Sequence, residues 1–119
     1  MCGRFTLTRH DLREVATLLE AELTDELAAT YRPRYNVAPT NLHWLLVDEG
    51  GRRQLVLGRW GFPIPFGPRK HDPVGLINAR SETAARKPTF RNAFTQTRCA
   101  VIADGFYEWA GPRGRRTAT

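Results

Sequence analysis

Cysteine is scarce in this chain: Cys2 and Cys99 stand alone among 119 residues. Two cysteines cannot build a disulfide scaffold, and without a CxxC pair they do not read as a zinc site. Lysine is scarce as well, with Lys70 and Lys87 the only two among 18 basic residues. No stretch approaches the roughly 20 apolar residues of a membrane span. The N-terminus lacks the apolar core of a secretory signal. These absences predict a reduced, cytoplasmic protein with no membrane partner. There is no Gly-rich phosphate loop, no GxSxG and no HExxH. His10, His43 and His71 share no metal spacing and read as surface or loop residues, so neither metal nor cofactor is expected.

What is present suits one small globular domain, with 41% hydrophobic and 25% charged residues. The net charge of +6 favours polyanionic partners through steering. It is carried by arginine, whose planar fork suits phosphate.

Residues 3–7 read as a leading strand. Thr8 with Asp11 resembles a capping box, and Leu12, Val15, Ala16, Leu19 and Leu23 follow helical spacing. The pattern predicts one helix over about residues 9–29. Residues 34–38 are extended between Pro33 and Pro39. Residues 42–48 and 54–60 form a hairpin around Glu49-Gly50-Gly51-Arg52. The Pro/Gly-rich stretch 62–73 is expected to be irregular, and Leu76-Ile77 a short buried strand. Short helices are expected at 81–86 and 91–95, then strands at 98–103 and 105–109. Cys99 reads as a buried strand thiol. The tail 111–119 has no apolar face and is expected to be disordered. The elements follow no regular βαβ alternation, which favours α+β.

Several residues could carry chemistry. A small side chain at position two permits loss of Met1, which leaves Cys2 as a 1,2-aminothiol. Free α-amines titrate near 7.7–8.0 and ordinary thiols near 8.5, so nucleophiles of both kinds are partly available at neutral pH. An aldehyde meeting this pair forms an imine and closes to a thiazolidine; thiolate attack on a carbonyl or peptide bond is the alternative. Most second-position cysteines do neither. Asn78 and Arg80 share a face if their segment is a strand, and an amide beside a guanidinium suits an oxyanion or phosphate. A plain strand end is the competing reading. Glu108 lies between Tyr107 and Trp109, where partial desolvation makes a carboxyl a usable general acid; a solvent-facing strand residue is the alternative. Trp60, Phe62 and Phe66 beside Arg59 and Arg69 suit base stacking and phosphate contact, or else pin the loop to the core.

The order of these signals is far more specific than any one of them. Met1-Cys2-Gly3-Arg4-Phe5, Arg34-Tyr35-Asn36-Val37-Ala38-Pro39-Thr40, Trp60-Gly61-Phe62, Ile77-Asn78-Ala79-Arg80-Ser81-Glu82-Thr83 and Ala103-Asp104-Gly105-Phe106-Tyr107-Glu108-Trp109 together resemble the SRAP (SOS-response-associated peptidase) family. The resemblance implies a mixed or antiparallel β-barrel-like sheet with flanking helices. It implies a sensor of abasic sites in single-stranded DNA, acting in the DNA damage response. Cys2 would form a thiazolidine crosslink with the ring-opened sugar. Asn78 would hydrogen-bond the adduct, and Glu108 would act as acid and base. Arg4 and Arg80 match phosphate-contacting arginines, Asn36 would line or brace the pocket, and Trp60 and Phe62 would form part of a stacking wedge.

Members of that family are about twice this length. Their catalytic His, in a His-x-Arg-Met-Pro context, has no match here. The chain is therefore expected to be a truncated N-terminal portion, residues 1–110, of one SRAP-like domain, prone to associate through exposed strand edges. Two further readings are a thiol peptidase, as the family's name suggests, and a noncatalytic nucleic-acid-binding remnant.

Overall fold

The computed structural model describes residues 2–111 and 117–118. Strand β1 (Phe5–Leu7) forms where the leading strand is expected. Asp11 then caps helix α1 (Leu12–Leu18) by accepting from Arg13 N at 2.9 Å. Leu12, Val15 and Ala16 are buried at helical spacing.

The single helix expected over 9–29 is two helices. Glu20 turns into the left-handed region at φ +52°. Glu22 N then donates to Arg53 O at 2.8 Å, and Glu22 O accepts from Leu55 N at 2.9 Å. The connecting segment thus satisfies a sheet edge instead of continuing the helix, a choice that apolar periodicity cannot reveal. Thr24 restarts the helix as N-cap of α2 (Asp25–Thr30), accepting from Leu27 N at 3.2 Å. Thr8, read as a capping residue, is instead bonded to Asp104.

β2 (Arg34–Val37) pairs with β1. β3 (Leu42–Glu49) and β4 (Arg52–Arg59) make the expected hairpin, in register from Leu42↔Arg59 to Glu49↔Arg52. Gly50 and Gly51 take φ of +63° and +84°, the left-handed pair that a tight two-residue turn requires. A long loop then closes on itself where Phe62 and Leu76 exchange two backbone bonds of 2.8 Å each. The helices α3 (Ser81–Ala84) and α4 (Arg91–Gln96) follow.

The strands expected at 98–103 and 105–109 shorten to β5 (Ala100–Val101) and β6 (Gly105–Phe106), and β7 (Trp109–Ala110) and β8 (Thr117–Ala118) follow. Two antiparallel three-stranded sheets result, ordered β2-β1-β6 and β4-β3-β5, and β7 pairs with β8. The architecture is α+β, with no closed barrel among the described residues. Of the tail expected to be disordered, residues 112–116 and 119 lie outside the described ones, and β8 lies inside them.

The core cluster joins Leu7, Leu12, Val15, Ala16, Tyr31, Trp44 and Leu55. It lies where α1 and Tyr31 pack against β1, β3 and β4. Three expectations fail beyond it. Leu76-Ile77 is a single bridge, not a buried strand, and Ile77 is exposed. Cys99 is exposed, because β5 has only two residues and both are exposed. His43 is neither a surface nor a loop residue: it is buried on β3, 2% exposed. No helix among the described residues is long and apolar enough to cross a membrane.

Candidate functional site

The two sheets and the long loop enclose an apolar groove of about 860 Å³. Cys2 and Phe5 line it from the N-terminal segment, and His43 and Leu45 from β3. Trp60, Phe62 and Asn78 line it from either end of the loop, and Val101 and Phe106 from β5 and β6. Glycine shapes the loop's neck. A Cβ on Gly75, at φ +72°, would lie 2.2 Å from Phe62 O, and one on Gly61, at φ +145°, 2.4 Å from Val74 O. Only glycine permits backbones that close.

Cys2 is held on this wall by contacts from distant sequence. Asn78 Nδ2 donates to Cys2 O at 3.0 Å, across 76 positions. The Cys2 thiol meets Arg4 O at 3.5 Å. The same Arg4 carbonyl accepts from Tyr107 N at 3.0 Å, which continues the β1–β6 pairing toward Cys2. Cys2 itself is half-buried and is part of the groove lining.

Of the eight residues to which the resemblance gives a role, four, Cys2, Asn78, Trp60 and Phe62, line the groove, and Arg59 lines it beside them. Trp60 is braced more firmly than a free stacking platform: its ring centroid lies 5.3 Å from that of Phe5, and its Nε1 donates to Ile77 O at 2.9 Å. Phe62 packs edge-on against Phe90 at 5.1 Å. The other four residues lie outside the lining. Arg4 is half-buried, and its Nε is enclosed without a hydrogen-bond partner. Glu108 is half-buried between β6 and β7 and has an interaction partner. Asn36 is exposed on β2. Arg80 is exposed and precedes α3 as its N-cap. The strand that would have put Asn78 and Arg80 on one face is absent; residues 77–80 form no ladder.

Two groove residues carry no functional role in the sequence reading, although Asp104 stands within its last motif. His43 Nε2 contacts Ile102 O at 2.6 Å, its ring meets Phe5 edge-on at 4.7 Å, and its Nδ1 is buried without a partner. Burial holds its pKa below the ordinary imidazole value; the Ile102 carbonyl opposes this and Arg34 reinforces it to a lesser degree. The alternation of exposed Leu42 with buried His43 was its one sequence signal, and buried Trp44 next to it obscures that signal. Asp104 accepts from Thr6 Oγ1 and Thr8 Oγ1 at 2.7 Å each and from Thr8 N at 2.6 Å. Burial pushes its pKa up, but these hydrogen bonds outweigh burial and hold it below the usual carboxylate value. No local pattern joins residues almost a hundred positions apart.

The positive charge gathers on one side of the sequence. Residues 59–98, which include the loop, α3 and α4, hold eight Arg or Lys against Asp72 and Glu82 alone. Residues 1–58 hold seven against eight acidic residues. The basic stretch is the one that supplies Trp60, Phe62 and Asn78 to the groove. Among the described residues, no group of three or more His, Cys, Asp or Glu could hold a metal ion.

The family model described as SOS response associated peptidase (SRAP) matches residues 1–118. The abasic site processing protein YoqW of Bacillus subtilis is 38% identical over 113 residues, covering 92% of this chain and 48% of that protein. The abasic site processing protein YedK of Escherichia coli is 35% identical over 113 residues, covering 92% and 48%. The abasic site processing protein HMCES of Xenopus tropicalis is 31% identical over 131 residues, covering 92% and 39%. The chain thus spans about half the length of the curated relatives it matches, or less. A solved protein from Bacteroides thetaiotaomicron shares the fold at TM-score 0.75 and 18% identity, covering 98% of this chain and 52% of that one.

Proposed function

This chain belongs to the SRAP family, SOS response associated peptidase, and from that membership we propose that it captures abasic sites in single-stranded DNA covalently through Cys2. The curated relatives above are named abasic site processing proteins, which supports the substrate. The observation that carries the reading is the Asn78–Cys2 hydrogen bond of 3.0 Å on the wall of an 860 Å³ groove.

Loss of Met1 frees the Cys2 α-amine. That amine adds to the aldehyde carbon of the ring-opened sugar, and the resulting carbinolamine expels water to give an imine. The thiol sulfur then adds to the imine carbon, and its proton passes to nitrogen. The product is a five-membered thiazolidine, and one water leaves overall. Glu108 is the group assigned to donate and accept protons in ring opening and dehydration. Asn78 keeps the Cys2 backbone in place while its nitrogen and sulfur react. The arginines of residues 59–98, with Arg4, supply phosphate attraction.

The thiol-peptidase reading draws no support from the contacts. The thiol faces the Arg4 carbonyl, and His43 Nε2 is engaged by Ile102 O. The test compares two single-stranded oligonucleotides, one with an abasic site and one whose site has been reduced to the alcohol. A denaturing gel should show a slow covalent band with the aldehyde alone, and none with Cys2→Ala. Equal bands from both oligonucleotides contradict the proposal.

A further inference from the structure

We propose that Asp104 is a positioning residue for Cys2, its carboxylate clasping the strand that carries the nucleophile onto the groove wall; this role rests on the covalent reading above. β1 has three residues and β6 two, so their ladder is short. Its register is Phe5↔Phe106 and Thr6↔Gly105. Asp104 extends that ladder from both main chain and side chain. Its backbone N donates to Thr6 O at 2.9 Å. Its carboxylate accepts from Thr6 Oγ1 on one oxygen, and from Thr8 N and Thr8 Oγ1 on the other. Three donors on one carboxylate make charge-assisted bonds, stronger than their neutral counterparts. The fit is close on the neighbouring residue as well. A Cβ on Gly105 would lie 2.8 Å from Thr6 Oγ1, so the hydroxyl reaches Asp104 only past a glycine.

Cys2 lies four residues upstream of Thr6, and Asp104 and Cys2 line the same groove. Asn78 holds the Cys2 carbonyl and Tyr107 N holds the Arg4 carbonyl. Asp104 secures the other end of this segment. Without it, Cys2 remains tethered but its approach to a bound aldehyde loses precision, and small misplacements reduce rate more than binding.

Asp104→Asn is the isosteric test. An amide keeps one acceptor, but its NH2 group faces either the Thr8 N–H or the Thr6 hydroxyl, and the charge is gone. At saturating abasic single-stranded DNA, D104N is expected to crosslink at least tenfold more slowly. The DNA concentration giving half-maximal rate should change less than twofold. Backbone amides of residues 5–8 should exchange with deuterium faster, while the β3–β4 hairpin keeps its protection. Condensation of Cys2 with a small free aldehyde, formaldehyde, needs no groove and should stay within twofold of wild type. Thr8→Val should share the slow crosslinking, and Thr8→Ser, which keeps the hydroxyl, should restore it. If D104N unfolds the hairpin, the Thr8 pair carries the test. A wild type that crosslinks, with D104N or T8V matching its maximal rate, overturns this proposal alone. A wild type that condenses with formaldehyde but never with abasic DNA overturns the functional reading, and this role with it.

Discussion

Among the described residues, every buried hydrophobic side chain lies between Phe5 and Leu55, whereas from Gly58 onward the only buried residue is Gly75. The earlier stretch contains α1, the long hairpin and the whole core cluster. The later one contains the loop, two short helices and strands of two residues, and it presents Phe66, Phe106 and Trp109 to solvent. Charge divides the same way: the first 58 residues are nearly balanced, and residues 59–98 are strongly basic. The difference teaches that the packed core and the concentrated positive charge are assigned to separate stretches. Cys2 belongs to the first stretch by sequence, but its partner Asn78 comes from the exposed one, as does Asp104, which bonds Thr6 and Thr8 of the Cys2 segment.

The largest effect that could break this division is on stability. Trp44, 5% exposed in the core, should cost about 3–5 kcal/mol as Trp44→Ala. Phe106, 64% exposed, should cost less than about 1 kcal/mol as Phe106→Ala. Denaturant unfolding measures both, and similar losses would erase the distinction. Gly75→Ala comes next. It places a Cβ 2.2 Å from Phe62 O at φ +72°, so it should cost at least about 1 kcal/mol. The loss should be local: the Phe62 and Leu76 amides exchange faster and the hairpin does not.

His43 sharpens the comparison through pH. Its folded pKa lies below the unfolded value, because burial favours the neutral ring. The stabilisation is therefore complete above about pH 6.5 and declines as pH falls toward the folded pKa. A protonated ring would also bury an Nδ1–H with no acceptor. Urea midpoints should fall between pH 7.5 and 5, and His43→Gln should flatten that slope. The smallest effect concerns salt. Arg91→Ala, in the basic stretch, should lower the log–log salt slope of single-stranded DNA binding by roughly 0.7. Arg52→Ala, whose guanidinium pairs with Glu22 at 2.8 Å on the exposed side of the hairpin, should leave that slope unchanged. It should cost less than about 1 kcal/mol of stability.

The same division explains how much the sequence disclosed. The hairpin was legible because Gly50 and Gly51 mark the turn and the flanking residues carry strand propensity. The first turn of α1 was legible from the spacing of Leu12, Val15 and Ala16. The break at Glu20 was not, because its cause is a sheet edge more than thirty residues away. Cys99 and Ile77 were misjudged because apolar runs imply burial only when something covers them. At the site, Cys2, Asn78, Trp60 and Phe62 were identified by motif order, and they meet in one groove. Asp104 stands in the last motif without a role and His43 in none, since their contacts span 59 to 98 positions. Motif order names residues; it does not say which pair of strands a carboxylate fastens.

The central claim is that Cys2 is a covalent trap assembled from both stretches, and intact mass after incubation with single-stranded DNA holding one abasic site tests it most directly. The expected species is the chain without Met1 plus the oligonucleotide minus one water, absent from Cys2→Ala. A chain that has lost Met1 and still gives the same spectrum as Cys2→Ala would contradict it.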